Sequence, residues 1–166
     1  MTGTVAMIDQ TANLRKQARK VWNTKLAAYD AAFATLEAAV AHDDEIASLR
    51  HECRRTGDWT LLTHEQNESA REAREQANRE AFDALQAWNI SVAEWHIADR
   101  NHYQARVNAA QEVGNWVDFY KLKKRTQSAD RKAATAIKTA CAYWEGAARR
   151  AIYEPLFAKL RPNCEG

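Results

Sequence analysis

The chain contains very little that would interrupt a helix. Only five of its 166 residues are glycine and two are proline. No proline precedes Pro155, and Gly57 is the only glycine between Gly3 and Gly114. Both residues disfavour helix, so their scarcity sets a strong all-α expectation. It also excludes a family of sites. None of the motifs GxGxxG, GxxxxGK[ST] or GxSxG occurs, so no glycine-rich phosphate cradle or nucleophile elbow is expected.

Long apolar runs are missing too. No segment approaches the ~20 residues that a membrane helix needs. The opening "MTGTVAMIDQ" has neither the basic start nor the apolar stretch of a secretory leader. Cysteine is sparse: Cys53, Cys141 and Cys164 are odd in number and follow no CxxC or Cys/His spacing. This pattern implies neither a disulfide framework nor a zinc site. Reduced thiols fit a cytoplasmic protein with no membrane partner.

What the chain has in abundance is alanine, at 33 positions, within a hydrophobic fraction of 46%. A core of small knobs with a few large aromatics follows. Trp22, Leu26, Tyr29, Phe33, Leu36 and Val40 alternate at spacings of four and three, one face of a long helix. At "HDDE" (42–45) the seam shifts to Ile46, Leu49 and Cys53. Either the helix stutters there or Asp43 caps a new one, and a continuous helix over about 11–55 is the reading adopted.

Gly57, preceded by Arg54 and Arg55, then supplies a left-handed helix stop with favourable charge at the dipole's negative end. "THEQ" (63–66) is a capping box that opens a second helix, about 63–113. Trp59, Leu61 and Leu62 fall in the connection, and the tryptophan is expected to plug the bundle end. A second corner repeats the device: Gly114, a candidate cap in Asn115, and Trp116. The third helix is expected over about 115–153, with an apolar line at Ala129, Ala133, Ile137, Ala140, Trp144, Ala147 and Ala151. Pro155 is expected to end it, leaving a short turn at 156–160. The fold expected is therefore a single all-α domain over 1–166, an elongated antiparallel bundle of about three long helices with turns near Gly57 and Gly114.

Candidates for chemistry are few. A di-metal bundle site needs two Glu-x-x-His pairs and two further glutamates. The chain has one related spacing, Asp99-x-x-His102, which is expected to be a local hydrogen-bonding pair. His96 and His102 lie near Glu94 and Asp99, but no nucleophile has an activating neighbour in sequence. No catalytic residue, metal or cofactor is expected. Trp22, Trp88, Trp95 and Trp144 lie on apolar faces and are expected to be core. Trp59 and Trp116 are the two candidate interaction anchors.

Charge is the most informative feature. The total is only +2, yet residues 63–113 carry 9 acidic and 5 basic side chains and residues 114–166 carry 5 and 11. Within 121–138, Lys121, Lys124, Arg125, Ser128, Arg131, Lys132 and Lys138 follow one helical stripe. The six cations are candidate phosphate contacts, with Trp116, Phe119 and Tyr120 nearby as candidate stacking rings. The competing reading pairs the stripe internally with the acidic second helix, chiefly Glu65, Glu68, Glu72 and Glu75. Two functions follow. The first is a non-catalytic interaction protein (accessory subunit, adaptor or inhibitor) with a protein partner or self-association. The alternative is a nucleic-acid-associated subunit working through 121–138.

Overall fold

The computed structural model describes residues 2–160, and they form an all-α bundle. Four α-helices follow in order: α1 (Thr2–Thr56), α2 (His64–Glu112), α3 (Trp116–Ala140) and α4 (Gly146–Leu160), with a 3-10 turn at Trp59–Leu61 before α2. There is no strand among the described residues. The chain divides into two compact units: Leu26–Leu85 is one, and the residues up to Lys25 together with those from Gln86 onward are the other.

The two expected corners are helix ends. Gly57 and Gly114 have φ of +76° and +66°, the left-handed conformation in which a side chain is disfavoured. Gly57 N–H donates to Cys53 O at 2.9 Å, closing α1. The capping box at the start of α2 forms in both directions. Gln66 N–H donates to Thr63 Oγ1 at 3.1 Å, and Thr63 N–H donates to Gln66 Oε1 at 2.9 Å. Asn115 caps α3 by accepting from Asp118 N–H at 3.2 Å.

In the Leu26–Leu85 unit the chain reverses through Gly57. Asp43 accepts from Arg74 at 2.7 Å and Asn67 accepts from Arg50, so α1 and α2 run antiparallel. Ile46, Cys53, Leu62 and Ala70 form the buried cluster. α1 is unbroken through "HDDE", so Asp43 starts no new helix.

In the other unit the same antiparallel order holds: Thr4 donates to Glu112, Thr11 meets His102, and Arg15 pairs with Asp99. The larger core cluster joins Ala93 and Ile97 of α2, Ala133, Ala136, Ile137 and Ala140 of α3, Cys141, and Leu156 and Leu160 of α4. Alanines on α3 let its backbone sit close to α2. A second cluster, Val107, Ala110 and Leu122 with Tyr103 and Phe119, lies beside the Gly114 corner.

Three expectations are corrected. The third helix does not run to Tyr153; it ends at Ala140 and restarts at Gly146, whose φ is +55°. The apolar line therefore holds only to Ala140, and Ala147 and Ala151 are exposed because α4 begins in a new phase. Pro155 lies inside α4 and does not stop it. Its missing N–H and ring fall on an exposed position, where solvent can reach the carbonyl left without a donor. The expected turn at 156–160 is the last part of that helix. Finally, Trp59 does not plug the bundle end: it is 55% exposed, and Leu62, at 7%, fills that role. Cys164 lies outside the described residues.

Candidate functional site

α3 is amphipathic in the strict sense. Leu122, Thr126, Ala129, Ala133, Ala136, Ile137 and Ala140 are buried along one side. Lys121, Lys124, Arg125, Arg131, Lys132 and Lys138 are all exposed, away from that side. Ser128 is exposed among them. The two acids of α3 lie elsewhere on its circumference: the Asp118 carboxylate accepts from the side-chain amide of the capping Asn115 at 2.8 Å, and Asp130 pairs with Arg100 of α2 at 3.4 Å. The face thus carries six cations and no carboxylate.

None of the six is in an ion pair among the described residues. Two of the four glutamates offered for internal pairing have a local partner on α2. Glu68 binds Arg71 at 2.8 Å, and Glu75 lies 4.0 Å from the same guanidinium. At the start of α3, Trp116 is 55% exposed and Tyr120 61%. Both pack edge-on to Phe119, with centroids 5.5 Å and 5.3 Å away. Lys123 stands over the Phe119 ring at 5.5 Å. Trp59, in the Leu26–Leu85 unit, is likewise exposed beside exposed Leu61.

The expected acid–base and metal candidates have structural partners. Asp99 faces Arg15, with Oδ1 2.6 Å from Nε. His102 Nδ1 lies 3.2 Å from Thr11 Oγ1. Burial holds the proton affinity of His102 below the ordinary histidine value, and Arg15 and Arg106 push the same way. Cys141 is buried in the main core cluster, and that burial raises its thiol pKa. A protonated thiol is a poor nucleophile. No group of three or more His, Cys, Asp or Glu side chains suited to a metal ion occurs among the described residues. No helix among them is long and apolar enough to cross a membrane.

One feature was missed in sequence. Trp22 of α1, Trp88 and His96 of α2, and Arg131, Lys132 and Thr135 of α3 line a single groove of about 490 Å³. The four tryptophans read as core are only partly buried, whereas the fully buried set is mostly alanine. Trp22 leans on Trp95 at 5.0 Å, and the Arg19 guanidinium lies 3.8 Å from the Trp22 ring centre. His96 meets Trp95 edge-on at 4.6 Å. Burial lowers the pKa of His96, and Lys132 and Arg19 reinforce that against Asp99. The ring is therefore neutral near pH 7. The spacing 88, 92, 96 places one side of this groove on one face of α2. The sequence offers no signal that α1 and α3 supply the other walls.

Comparisons with protein-family models, curated proteins and solved structures gave no match. Fold and surface define the class: a small all-α bundle with a basic helix face whose six cations have no ion-pair partner among the described residues.

Proposed function

We propose that the chain is a non-catalytic helical interaction protein whose working surface is the basic face of α3 and whose partner is anionic. One observation carries the reading: six lysines and arginines stand exposed on that face, and none has an ion-pair partner among the described residues. Like charges held together on a rigid helix repel one another. An anionic surface relieves that repulsion and releases its own counterions.

Nucleic acid is the anionic partner this arrangement favours. The cations follow a helix, at spacings that can track a phosphate backbone, and exposed Trp116 and Tyr120 offer rings to bases. An acidic protein surface, reached by an accessory subunit or adaptor, is the second reading. Exposed Trp59 and Trp116 suit it as anchors.

The test is fluorescence anisotropy of labelled DNA and RNA oligonucleotides at low salt, with polyglutamate as the acidic-protein control. Binding to nucleic acid that weakens steeply with salt is the expected result. Binding to polyglutamate alone favours the adaptor reading. Absence of binding to either polyanion contradicts the basic face as a working surface.

A further inference from the structure

The groove beside the basic face has its own chemistry. Its walls are largely apolar and aromatic, formed by the indoles of Trp22 and Trp88 and the imidazole of His96. Its α3 rim is cationic, Arg131 and Lys132, and these two residues also belong to the exposed stripe. Lys124, Arg125 and Lys121 continue the positive charge toward the start of α3. Trp22 Nε1 and His96 Nδ1 are buried without a hydrogen-bond partner among the described residues. The site therefore combines ring faces, a cationic edge and a lining without carboxylates.

Flat aromatic groups attached to phosphates match all three features. In a duplex the bases are stacked on one another and their faces are inaccessible; in a single strand they are free to enter an aromatic groove. An acidic peptide offers the charge, but its carboxylates give the indoles nothing to stack against. We infer that the groove between α1, α2 and α3 receives an unpaired base while Arg131, Lys132 and the rest of the stripe hold the adjoining phosphates, so that the partner is single-stranded nucleic acid. This inference rests on the nucleic-acid reading of the basic face.

The test compares three labelled probes of equal length: a single strand of natural bases, the corresponding duplex, and a single strand of abasic phosphodiester units. Wild-type protein is expected to bind the natural strand about tenfold more tightly than the abasic one, the scale of one base stacked on an aromatic ring. The natural strand, and not the abasic one, should quench tryptophan emission. Trp88→Leu should remove the tenfold preference. Because a tryptophan change can disturb folding, Thr135→Arg is the second variant. Thr135 is exposed on the groove's α3 rim. The longer side chain fills the groove while adding a cation, so pure electrostatics predicts tighter binding to every probe. Groove occupancy predicts loss of the preference for natural bases. Equal affinity for natural, abasic and duplex probes, with unchanged emission, overturns the base-in-groove inference and leaves the anionic-partner reading standing. Polyglutamate binding as tightly as the natural strand also overturns it. Failure to bind any probe overturns both.

Discussion

Arg15 of α1 reaches Asp99 of α2 with Nε 2.6 Å from Oδ1, and the two side chains are unequally exposed, 38% and 12%. The pair should therefore break asymmetrically. Asp99→Ala leaves a cation that can turn to solvent, a loss of about 0–1 kcal/mol. Arg15→Ala leaves a nearly buried carboxylate without its countercharge, at about 1–3 kcal/mol. Urea unfolding should give Arg15→Ala the lower midpoint. Equal midpoints, or the reverse order, would show that Asp99 is solvated without Arg15.

The corners should be sensitive to backbone conformation alone. A Cβ at Gly57 or Gly114 would meet no atom within 4 Å, yet both have positive φ. Gly57→Ala and Gly114→Ala should each cost about 1–2 kcal/mol through the left-handed conformation. Asparagine at either site should cost less, since it tolerates that region better. Thermal melts that rank alanine at or above asparagine would contradict the assignment.

Acidification should weaken the fold before carboxylates titrate. His96 and His102 both have pKa values below 6.5, burial being the main cause for each. Below that pH the unfolded chain takes up protons that the folded chain resists. Their contribution to stability is thus complete above 6.5 and is lost as the pH falls through the folded-state values. The urea midpoint should drop between about pH 7.5 and 5.5, and less so in a His96→Gln, His102→Gln double variant. A midpoint that is flat in wild type, or falls as steeply in the variant, would contradict this.

Local signals in the sequence translated well, and long-range ones did not. Gly57, Gly114 and the Thr63–Gln66 box act within four residues of themselves, so their consequences were readable. Gly146 carries the same signal, but the apolar line expected to run through Trp144 to Ala151 masks it. That line was a coincidence of phase across a break. Trp59 is expected to plug the bundle end because it sits in the connection, but Leu62 is the connection residue that joins the cluster of Ile46, Cys53 and Ala70, and the tryptophan stays outside. The exposure of the basic stripe follows directly from helical spacing on α3. Whether it is paired internally depended on where the glutamates point, and Arg71 on their own helix takes two of them. The groove was illegible for a related reason: its walls come from positions 22, 88–96 and 131–139, and only the packed helices bring these together.

The most direct measurement is the affinity of a Lys124→Gln, Arg125→Gln, Arg131→Gln, Lys132→Gln variant for single-stranded nucleic acid across a salt series. All four side chains are exposed and outside the buried side of α3, so each change should alter stability by no more than about 0.5 kcal/mol. The working-surface account predicts a folded variant with much weaker binding to every sequence. The slope of log affinity against log salt should flatten by about 3, as four fewer cations displace counterions. A variant that binds as wild type does, with an unchanged salt slope, would contradict the account.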